Sequence, residues 1–306
     1  MKVLIIGLGS IAKKHISSLM ELIPDVKIYA FRSVKNSEIF LNVTNIYDFN
    51  DAPYDVDFII ISNPTSLHAN TIEQILKFNA PIFIEKPIFD KIETNSSLVN
   101  LIQEKNLKTY IACNLRFHPA IVFLKNYLQN SNKRINEVNV YCGSYLPEWR
   151  EATNYIDSYS AKSSLGGGVH LDLIHELDYS IWLFGYPLKH SSIKRKVSQL
   201  QIDSMDCCSY NLFYENFNLS IILNYFRVKP KRQIEIVFED DIFTCDLLNA
   251  IIKNSNDQVV FEEKGFKVNH TYLRQLEYFI HHLKDDKPFM NNINEAFDIL
   301  KIALHG

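Results

Sequence analysis

A lysine that directly follows a short apolar run is the first residue whose position suggests chemistry. Residues 82–84 are apolar, and Glu85, Lys86 and Pro87 come next. Such a run predicts a buried parallel strand, and ligands in open α/β sheets bind beyond the carboxyl ends of these strands. Proline ends the strand because its φ is fixed and it lacks a backbone donor. We therefore interpret Lys86 as a candidate catalytic ammonium, with a solvated lysine as the alternative.

A second set of ionisable residues follows three consecutive glycines at residues 166–168. The apolar pattern of residues 171–184 predicts one continuous helix. At about 100° per residue, that helix places Asp172, His175 and Glu176 on one polar face. A carboxylate beside an imidazole suits general acid and base chemistry near neutral pH. Either His175 or Glu176 could share a pocket with Asp172 on this face. Because glycines allow close backbone approach, the pattern favours a site here, with Asp172 and His175 as candidate catalytic residues, over a solvated helix face.

A glycine loop separates the first predicted strand from the first predicted helix. Residues 2–6 form a mostly apolar run rich in β-branched residues, and GLGSIA occupies residues 7–12 before a helical pattern. Glycines permit a tight turn, and the amides at a helix N-terminus face a pyrophosphate. In this position the motif predicts dinucleotide binding. The residues expected to contact the cofactor in this loop are Gly7, Gly9, Ser10 and Ile11.

The end of the second predicted strand indicates which dinucleotide is bound. An NAD-specific site would place an acid there to accept from the ribose hydroxyls. The chain has Arg32, Ser33 and Lys35 instead. Since arginine can hold a phosphate through two parallel bonds, we expect NADP(H) to be preferred over NAD(H). A solvated Arg32 is the alternative.

The other strand ends of the first half complete the expected cofactor site. Predicted strands at residues 57–62 and 109–113 alternate with helical patterns, which predicts a doubly wound parallel sheet. His68 lies near a helix start, where hydrogen bonding alone is the simpler role. The remaining residues expected to border the cofactor are Asn63, Pro64, Thr65, His68, Glu85, Lys86, Asn114 and Arg116.

The second half changes character after Pro119. Successive β-forming runs, among them residues 197–201, predict a mostly antiparallel open sheet. We therefore expect an α/β fold with two domains: a dinucleotide-binding Rossmann domain at 1–119 and an α/β domain for substrate binding and oligomerisation at 120–306, in a homodimer or homotetramer. The candidates for a substrate wall are Tyr145, Trp149, Tyr155, Tyr159 and Lys162, with core packing as the alternative for the aromatic residues.

Composition bounds the remaining possibilities. The chain has 306 residues, of which 47% are hydrophobic and 22% charged, as in ordinary globular proteins. A net charge of -3 without long single-sign runs gives no reason to expect a nucleic-acid surface. The N-terminal apolar run is too short for a membrane span or a signal peptide, so we expect a cytoplasmic protein. Five cysteines without CxxC spacing predict free thiols and no metal site.

Five motifs in order resemble the glucose-fructose oxidoreductase and inositol dehydrogenase (Gfo/Idh/MocA) family over essentially the full chain. They are GLGSIA at 7–12, NPTSLH at 63–68, EKP at 85–87, NLRFHP at 114–119 and LGGGVHLDLIHELDY at 165–179. The resemblance implies a Rossmann domain, a second α/β domain with an open sheet, and hydride transfer between a nicotinamide and a carbon of a sugar or polyol.

The resemblance also implies a catalytic set of a lysine, an aspartate and a histidine. The EKP lysine corresponds to Lys86, and the aspartate after the glycines corresponds to Asp172. The family's histidine usually comes four residues after that aspartate, where this chain has Glu176, and His175 comes three after. A branch of similar sequences that contains the motif HELDY has the same one-residue shift of the histidine. Two alternatives keep the same fold: an NADP-binding sensor without turnover, and a nicotinamide-dependent glycosidase.

Overall fold

The computed structural model describes residues 1–35, 39–93, 95–150 and 154–305. The chain forms two compact units: unit 1 contains Met1–Asn114 and Asn269–Asp298, and unit 2 contains Leu115–Val268 and the residues from 299 onward. This division differs from the predicted uninterrupted second domain at 120–306, because residues 269–298 return to unit 1. Aromatic packing accounts for the return, since Phe279 meets Phe58 and Phe83 at ring-centroid distances of 5.1 and 5.3 Å.

Unit 1 is organised on a parallel six-stranded sheet in the order β3-β2-β1-β4-β5-β6, which confirms the predicted doubly wound sheet. Its central strands are almost entirely apolar because both of their faces are buried. The carboxyl ends of all six strands lie at one edge, so loops distant in sequence meet there. The strands are β1 (Lys2–Ile6), β2 (Lys27–Phe31), β3 (Val43–Ile46), β4 (Phe58–Ile61), β5 (Ile82–Glu85) and β6 (Thr109–Ala112).

Most helices follow the apolar patterns of the sequence, with two exceptions: the helix at Pro119–Asn130 was not predicted, and one predicted helix is divided. The predicted helix over residues 171–184 is two helices, because Leu173 leaves helical geometry with φ -101° and ψ 31°. No helix among the described residues is long and apolar enough to cross a bilayer. The helices are α1 (Ser10–Leu22), α2 (His68–Ile75), α3 (Ser96–Glu104), α4 (Pro119–Asn130), α5 (Val169–Asp172), α6 (His175–Phe184), α7 (Asn269–His281) and α8 (Ile293–His305).

Unit 2 is organised on an eight-stranded sheet in the order β14-β13-β12-β11-β7-β10-β9-β8. Only the β10–β7 pair is parallel among the pairs described in this sheet, which confirms the prediction of a mostly antiparallel sheet. The strands are β7 (Ile135–Tyr145), β8 (Lys189–Arg195), β9 (Cys207–Phe213), β10 (Asn218–Asn224), β11 (Phe226–Phe238), β12 (Ile242–Asp246), β13 (Ile251–Lys253) and β14 (Val259–Glu262).

The strand predicted at residues 197–201 is wrong, because an acid binds the backbone there. The Asp206 carboxylate accepts from the amides of Val197 and Ser198 at 2.8 and 3.0 Å and from the Ser198 hydroxyl at 2.6 Å. Amides bound by a side chain cannot donate to a neighbouring strand. Residues 197–201 therefore form a loop.

Candidate functional site

The glycine loop of unit 1 lies against the end of β4. Gly7 has a φ of +88°, and a Cβ atom there would lie 2.9 Å from the Asn63 amide nitrogen, so only glycine fits without strain. A Cβ at Gly9 would meet no atom within 4 Å. Gly9 is the N-cap of α1, and it provides no side-chain acceptor for the first-turn amides of the helix. The loop therefore leaves open space at the N-terminus of a helix, as a bound pyrophosphate requires.

The His68 ring connects two loops at the carboxyl edge of the unit 1 sheet through hydrogen bonds. Its Nδ1 lies 3.0 Å from the Ile88 carbonyl oxygen, and its Nε2 lies 3.0 Å from the Asn63 carbonyl oxygen. The side chain is buried, and burial lowers the pKa of His68. This geometry supports the hydrogen-bonding role that the sequence favoured. Thr65 and Pro64 lie in the loop that His68 holds.

The two charged residues at the end of β5, Glu85 and Lys86, lie in different environments. The Glu85 carboxylate is buried, and its Oε1 lies 2.6 Å from Nε2 of the fully buried His15 on α1. The next residue, Lys86, is half-buried, and its peptide bond to Pro87 is cis. Glu85, expected to border the cofactor, therefore has a protein partner that the sequence analysis did not identify. That partner joins the end of β5 to the helix that follows the glycine loop.

Arg32 lies at the end of β2, beside a strand that the sequence analysis missed. Its Nη1 donates to Asn45 Oδ1 of β3 at 3.3 Å, and its backbone amide donates to the Ile46 carbonyl at 2.9 Å. Ser33 and Lys35 are exposed nearby in sequence. The donors expected to select a phosphate are thus at the sheet edge where parallel strands end.

The two residues predicted at the end of the Rossmann segment have protein partners. Asn114 is buried and donates through Nδ2 to Thr271 Oγ1 at 2.6 Å. Arg116 is 1% exposed and donates to both carboxylate oxygens of Asp178 at 2.9 and 2.7 Å. Arginine and carboxylate planes matched in this way form a strong, oriented pair. These contacts give Arg116 a structural role within unit 2, whereas the sequence analysis expected a cofactor contact.

In unit 2, the break between α5 and α6 changes the geometry assumed for Asp172 and His175. Asp172 ends α5 and His175 begins α6, so the angle computed for one continuous helix does not apply. Both side chains are buried, with 5% and 8% of their surface exposed. The alternative of a solvated helix face is therefore wrong, because α6 is buried along most of its length.

Three acids within this segment have three different partners. Asp172 Oδ2 accepts from the Tyr225 hydroxyl at 2.5 Å. Glu176 Oε1 accepts from Arg232 Nε of β11 at 2.6 Å, and Glu176 is fully buried. Asp178 is the acid that pairs with Arg116. Two of these acids thus form ion pairs with arginines, and Asp172 accepts a hydrogen bond from a phenol.

Glu176 stands where the resembling family usually has its histidine. Its carboxylate is in an ion pair that would be expensive to break inside a protein. Tyr179 and Cys142 lie in the same buried surroundings, where burial raises the pKa of both groups. Glu176 is therefore a structural acid, and His175 is the histidine of this segment nearest to the family position.

The chain segment between β7 and α5 forms a small pocket. It is a shallow depression open to solvent, lined by Leu146, Trp149, Arg150, Tyr155 and Ser158. Trp149 and Tyr155 were expected to form a substrate wall, and both are half-buried here. Arg150 was not identified from the sequence; its guanidinium carbon lies 5.1 Å from the centre of the Tyr159 ring.

The other expected wall residues, Tyr145, Tyr159 and Lys162, are not among the residues that line this pocket. Tyr159 as a whole residue is 39% exposed, but its hydroxyl faces Asp172. Burial of that hydroxyl, followed by the charge of Asp172, raises the pKa of Tyr159. Lys162 is half-buried and lies 4.0 Å from an Asp157 carboxylate oxygen. Tyr145 ends β7. The structure thus brings Tyr159 to Asp172.

The three glycines place a turn of the same chain against α5. A Cβ at Gly167 would lie 2.7 Å from the Lys162 carbonyl oxygen and 2.8 Å from that of Ser160. Gly168 has a φ of +137° and precedes α5. The close approach inferred from the glycines is therefore made by the chain's own backbone, and it holds Tyr159 beside Asp172.

His170 is a buried histidine that the sequence analysis did not single out. It is 9% exposed, and burial, followed by the charge of Lys194, lowers its pKa to about 4, although Asp172 opposes this shift. Its Nδ1 has no hydrogen-bond partner among the described residues. His170 is therefore neutral at neutral pH.

Comparison with known proteins agrees with this architecture. Residues 1–112 match the family described as "Oxidoreductase family, NAD-binding Rossmann fold". The chain is 24% identical over 235 residues to the uncharacterized oxidoreductase YrbE of Bacillus subtilis, covering 72% of this chain and 65% of YrbE. It is 27% identical over 139 residues to inositol 2-dehydrogenase of Rhizobium meliloti, covering 45% of this chain and 39% of that enzyme. The matches span less than two thirds of these relatives.

A solved structure extends the similarity over the whole fold. UDP-N-acetylglucosamine 3-dehydrogenase GnnA from Acidithiobacillus ferrooxidans superposes with a TM-score of 0.79 at 19% identity, covering 100% of this chain and 96% of GnnA. At that identity the likeness concerns the fold. The comparisons therefore show that residues 1–112 resemble the Gfo/Idh/MocA oxidoreductases in their NAD-binding Rossmann fold and that the whole chain shares the fold of GnnA.

Proposed function

We propose that this protein is an NAD(P)-dependent oxidoreductase that transfers a hydride between a nicotinamide and a hydroxyl or carbonyl carbon of a sugar, a polyol or a sugar derivative. The observation that carries the proposal is the glycine loop at the start of α1, in a parallel sheet whose β5 ends in Glu85 and Lys86. Two of its relatives are named for dehydrogenation of inositol and of UDP-N-acetylglucosamine.

The residues of unit 1 fit a dinucleotide. Gly9 leaves room beside the first turn of α1, where backbone amides and the helix dipole attract phosphate. The loops at the ends of β1, β4 and β5 would hold the cofactor, with Asn63, Thr65 and His68 bordering it. A bound nicotinamide dinucleotide supplies the hydride acceptor or donor.

Lys86, Asp172 and His175 act on the substrate in this proposal. In the oxidation direction, His175 or Lys86 removes the proton from a substrate hydroxyl, while Asp172 orients the histidine. The Lys86 ammonium also stabilises the negative charge that develops on the substrate oxygen. A positioned acid or base of this kind contributes about 10²- to 10⁴-fold in rate. Trp149, Tyr155, Tyr145, Tyr159 and Lys162 form the substrate wall.

We further propose that NADP(H) is preferred over NAD(H). Arg32, Ser33 and Lys35 supply donors for a 2′-phosphate, and Asn45 fixes the guanidinium of Arg32 at the strand edge. We also place the protein in the cytoplasm, where its five cysteines stay free thiols, as a homodimer or homotetramer formed through the open sheet.

A substrate panel tests the proposal. Sugars, polyols and nucleotide sugars are incubated with NADP(H) and NAD(H), and absorbance of the reduced nicotinamide reports turnover.

We expect Lys86→Ala to lower kcat by at least about a hundredfold without changing the Kd of the cofactor. Lys91→Ala, which removes an exposed lysine nearby, is the matched control. Full turnover by Lys86→Ala would disprove the assigned role.

The same assay separates the two alternatives. A sensor would bind NADPH without turnover of any sugar. A nicotinamide-dependent glycosidase would release a sugar without net change in the cofactor.

The cofactor preference is tested separately. Arg32→Ala is expected to raise the KM for NADPH by about tenfold or more. Equal use of both dinucleotides by the wild-type protein, or a lower KM for NADH, would contradict the proposed preference.

A further inference from the structure

The Asp172 carboxylate is bound by a tyrosine far away in the sequence. Asp172 is 5% exposed, and a charge removed from water needs hydrogen bonds to replace its hydration. The Tyr225 hydroxyl donates to its Oδ2 at 2.5 Å, a length typical of a strong bond from a hydroxyl to a carboxylate. One partner of the candidate catalytic acid is therefore a phenol.

Tyr225 is held so that its hydroxyl has a fixed position. The side chain is fully buried, between the end of β10 and the start of β11. Its amide donates to the Asp206 carbonyl at 3.0 Å, and its carbonyl accepts from the Leu146 amide at 2.8 Å. The Trp149 ring packs edge-on against it at a centroid distance of 5.2 Å. Backbone and ring contacts thus fix Tyr225 from three sides.

The phenol at this position remains a donor. Burial, followed by the charge of Asp172, raises the pKa of Tyr225 well above its ordinary range. Tyr225 therefore stays protonated at neutral pH and cannot serve as the base.

We propose that Tyr225 is a positioning residue for catalysis, which fixes the orientation of the Asp172 carboxylate through its hydroxyl, with the Tyr159 hydroxyl facing the same carboxylate. This inference rests on the proposed function. It adds a residue that no motif of the sequence marks, because Tyr225 is 53 positions from Asp172. It also links the pocket to the acid, since Trp149 both lines the pocket and packs on Tyr225.

The test compares two buried phenols of unit 2. Tyr225→Phe removes the hydroxyl that binds Asp172. Tyr210→Phe is the matched control, because Tyr210 is also fully buried and its hydroxyl donates to the backbone carbonyl of Ala303 at 3.0 Å. Asp172→Asn removes the charge from the other end of the bond. Each protein is examined for turnover on the substrate identified in the panel and for hydroxyl protons by ¹H NMR.

We expect Tyr225→Phe to lower kcat by about 10- to 100-fold while the KM for the cofactor stays unchanged, and Tyr210→Phe to keep wild-type kcat. We also expect a slowly exchanging downfield hydroxyl proton that is absent in Tyr225→Phe and Asp172→Asn and present in Tyr210→Phe. Wild-type kcat in Tyr225→Phe, or the same proton signal in Asp172→Asn, would overturn the proposal.

The turnover assay and the NMR measurement test the proposed function and the proposed role of Tyr225 separately. If the wild-type protein turns over no substrate, the proposed function fails, and the NMR signal still decides whether the Tyr225 hydroxyl binds Asp172. If Tyr225→Phe does not fold, Asp172→Asn decides: loss of the downfield proton with a fall in kcat supports the proposal, and retention of that proton overturns it.

Discussion

Unit 1 and unit 2 place their buried acids by different means. In unit 1, the acid of the EKP motif lies at a strand end and pairs with His15, while the next residue, Lys86, is half-buried. In unit 2, three acids within seven residues are separated by their partners, so that Asp178 and Glu176 form ion pairs and Asp172 binds a phenol. A strand end can therefore indicate chemistry by position alone, whereas acids on a buried helix are distinguished only by what they contact.

The strongest test of this comparison removes one structural acid of unit 2. Asp178→Ala leaves the buried guanidinium of Arg116 without its carboxylate. Loss of one partner of a buried pair costs about 3–5 kcal/mol, so the free energy of unfolding in urea should fall by that amount. Lys133→Ala, which breaks the exposed pair with Asp240, should leave the unfolding midpoint unchanged. A loss below about 1 kcal/mol, as at exposed pairs, would show that Asp178 is not structural.

A pH titration of stability tests the neutral histidine of unit 2. His170 has a pKa lowered from 6.5 to about 4 by burial, so between these values the unfolded chain binds a proton that the folded chain does not. Stability should therefore fall as the pH decreases from 6.5 to 4, by roughly 3 kcal/mol over the window, and be unaffected above it.

The contribution of His170 is isolated by substitution. In His170→Gln, urea unfolding between pH 7 and 4 should show a shallower loss of stability than in the wild type. His68→Gln should act in the same direction in unit 1, because burial lowers the pKa of His68 as well. His281→Gln, at an exposed position, should reproduce the wild-type profile. An unchanged slope in His170→Gln would mean that His170 is charged in the folded state.

The smallest expected effect concerns the paired acid of unit 1. Glu85→Gln keeps the size of the side chain and an amide oxygen that can accept from His15. We expect a loss of about 1 kcal/mol in unfolding free energy, less than for Asp178→Ala, measured under the same urea conditions. A loss as large as that of Asp178→Ala would remove the contrast between the two units.

The sequence was most informative where the structure depends on neighbouring residues. The run from β1 through the glycine loop to α1 could be predicted because the turn, the helix start and the apolar strand are contiguous. The polar strands β3 and β8 were missed, since VTNI and KHSSIKR lack the apolar runs used to recognise strands. The three-residue strand β13 was missed because such a short segment carries little pattern.

The candidate site was predictable in its residues and unpredictable in its contacts. Asp172 and His175 could be selected from the motif, but the break at Leu173 has no proline or glycine to mark it. The partners of the three acids lie 53, 56 and 62 positions away in sequence. Periodicity describes one element at a time, so it cannot show which of several acids on a helix meets an arginine from another element.

The close approach at Gly167 has a consequence for protein engineering. Short 3₁₀ turns span residues 146–148, 155–157, 159–161 and 163–165, and the backbone of the last two lies against the glycines that precede α5. The exposed side chains of these turns, at Glu148, Asp157 and residues 163–165, can vary while α6 keeps its anchors in Arg116 and Arg232. Libraries aimed at new specificity should therefore randomise these exposed side chains and leave Gly167 fixed, because any larger residue there would push the whole run away from its support.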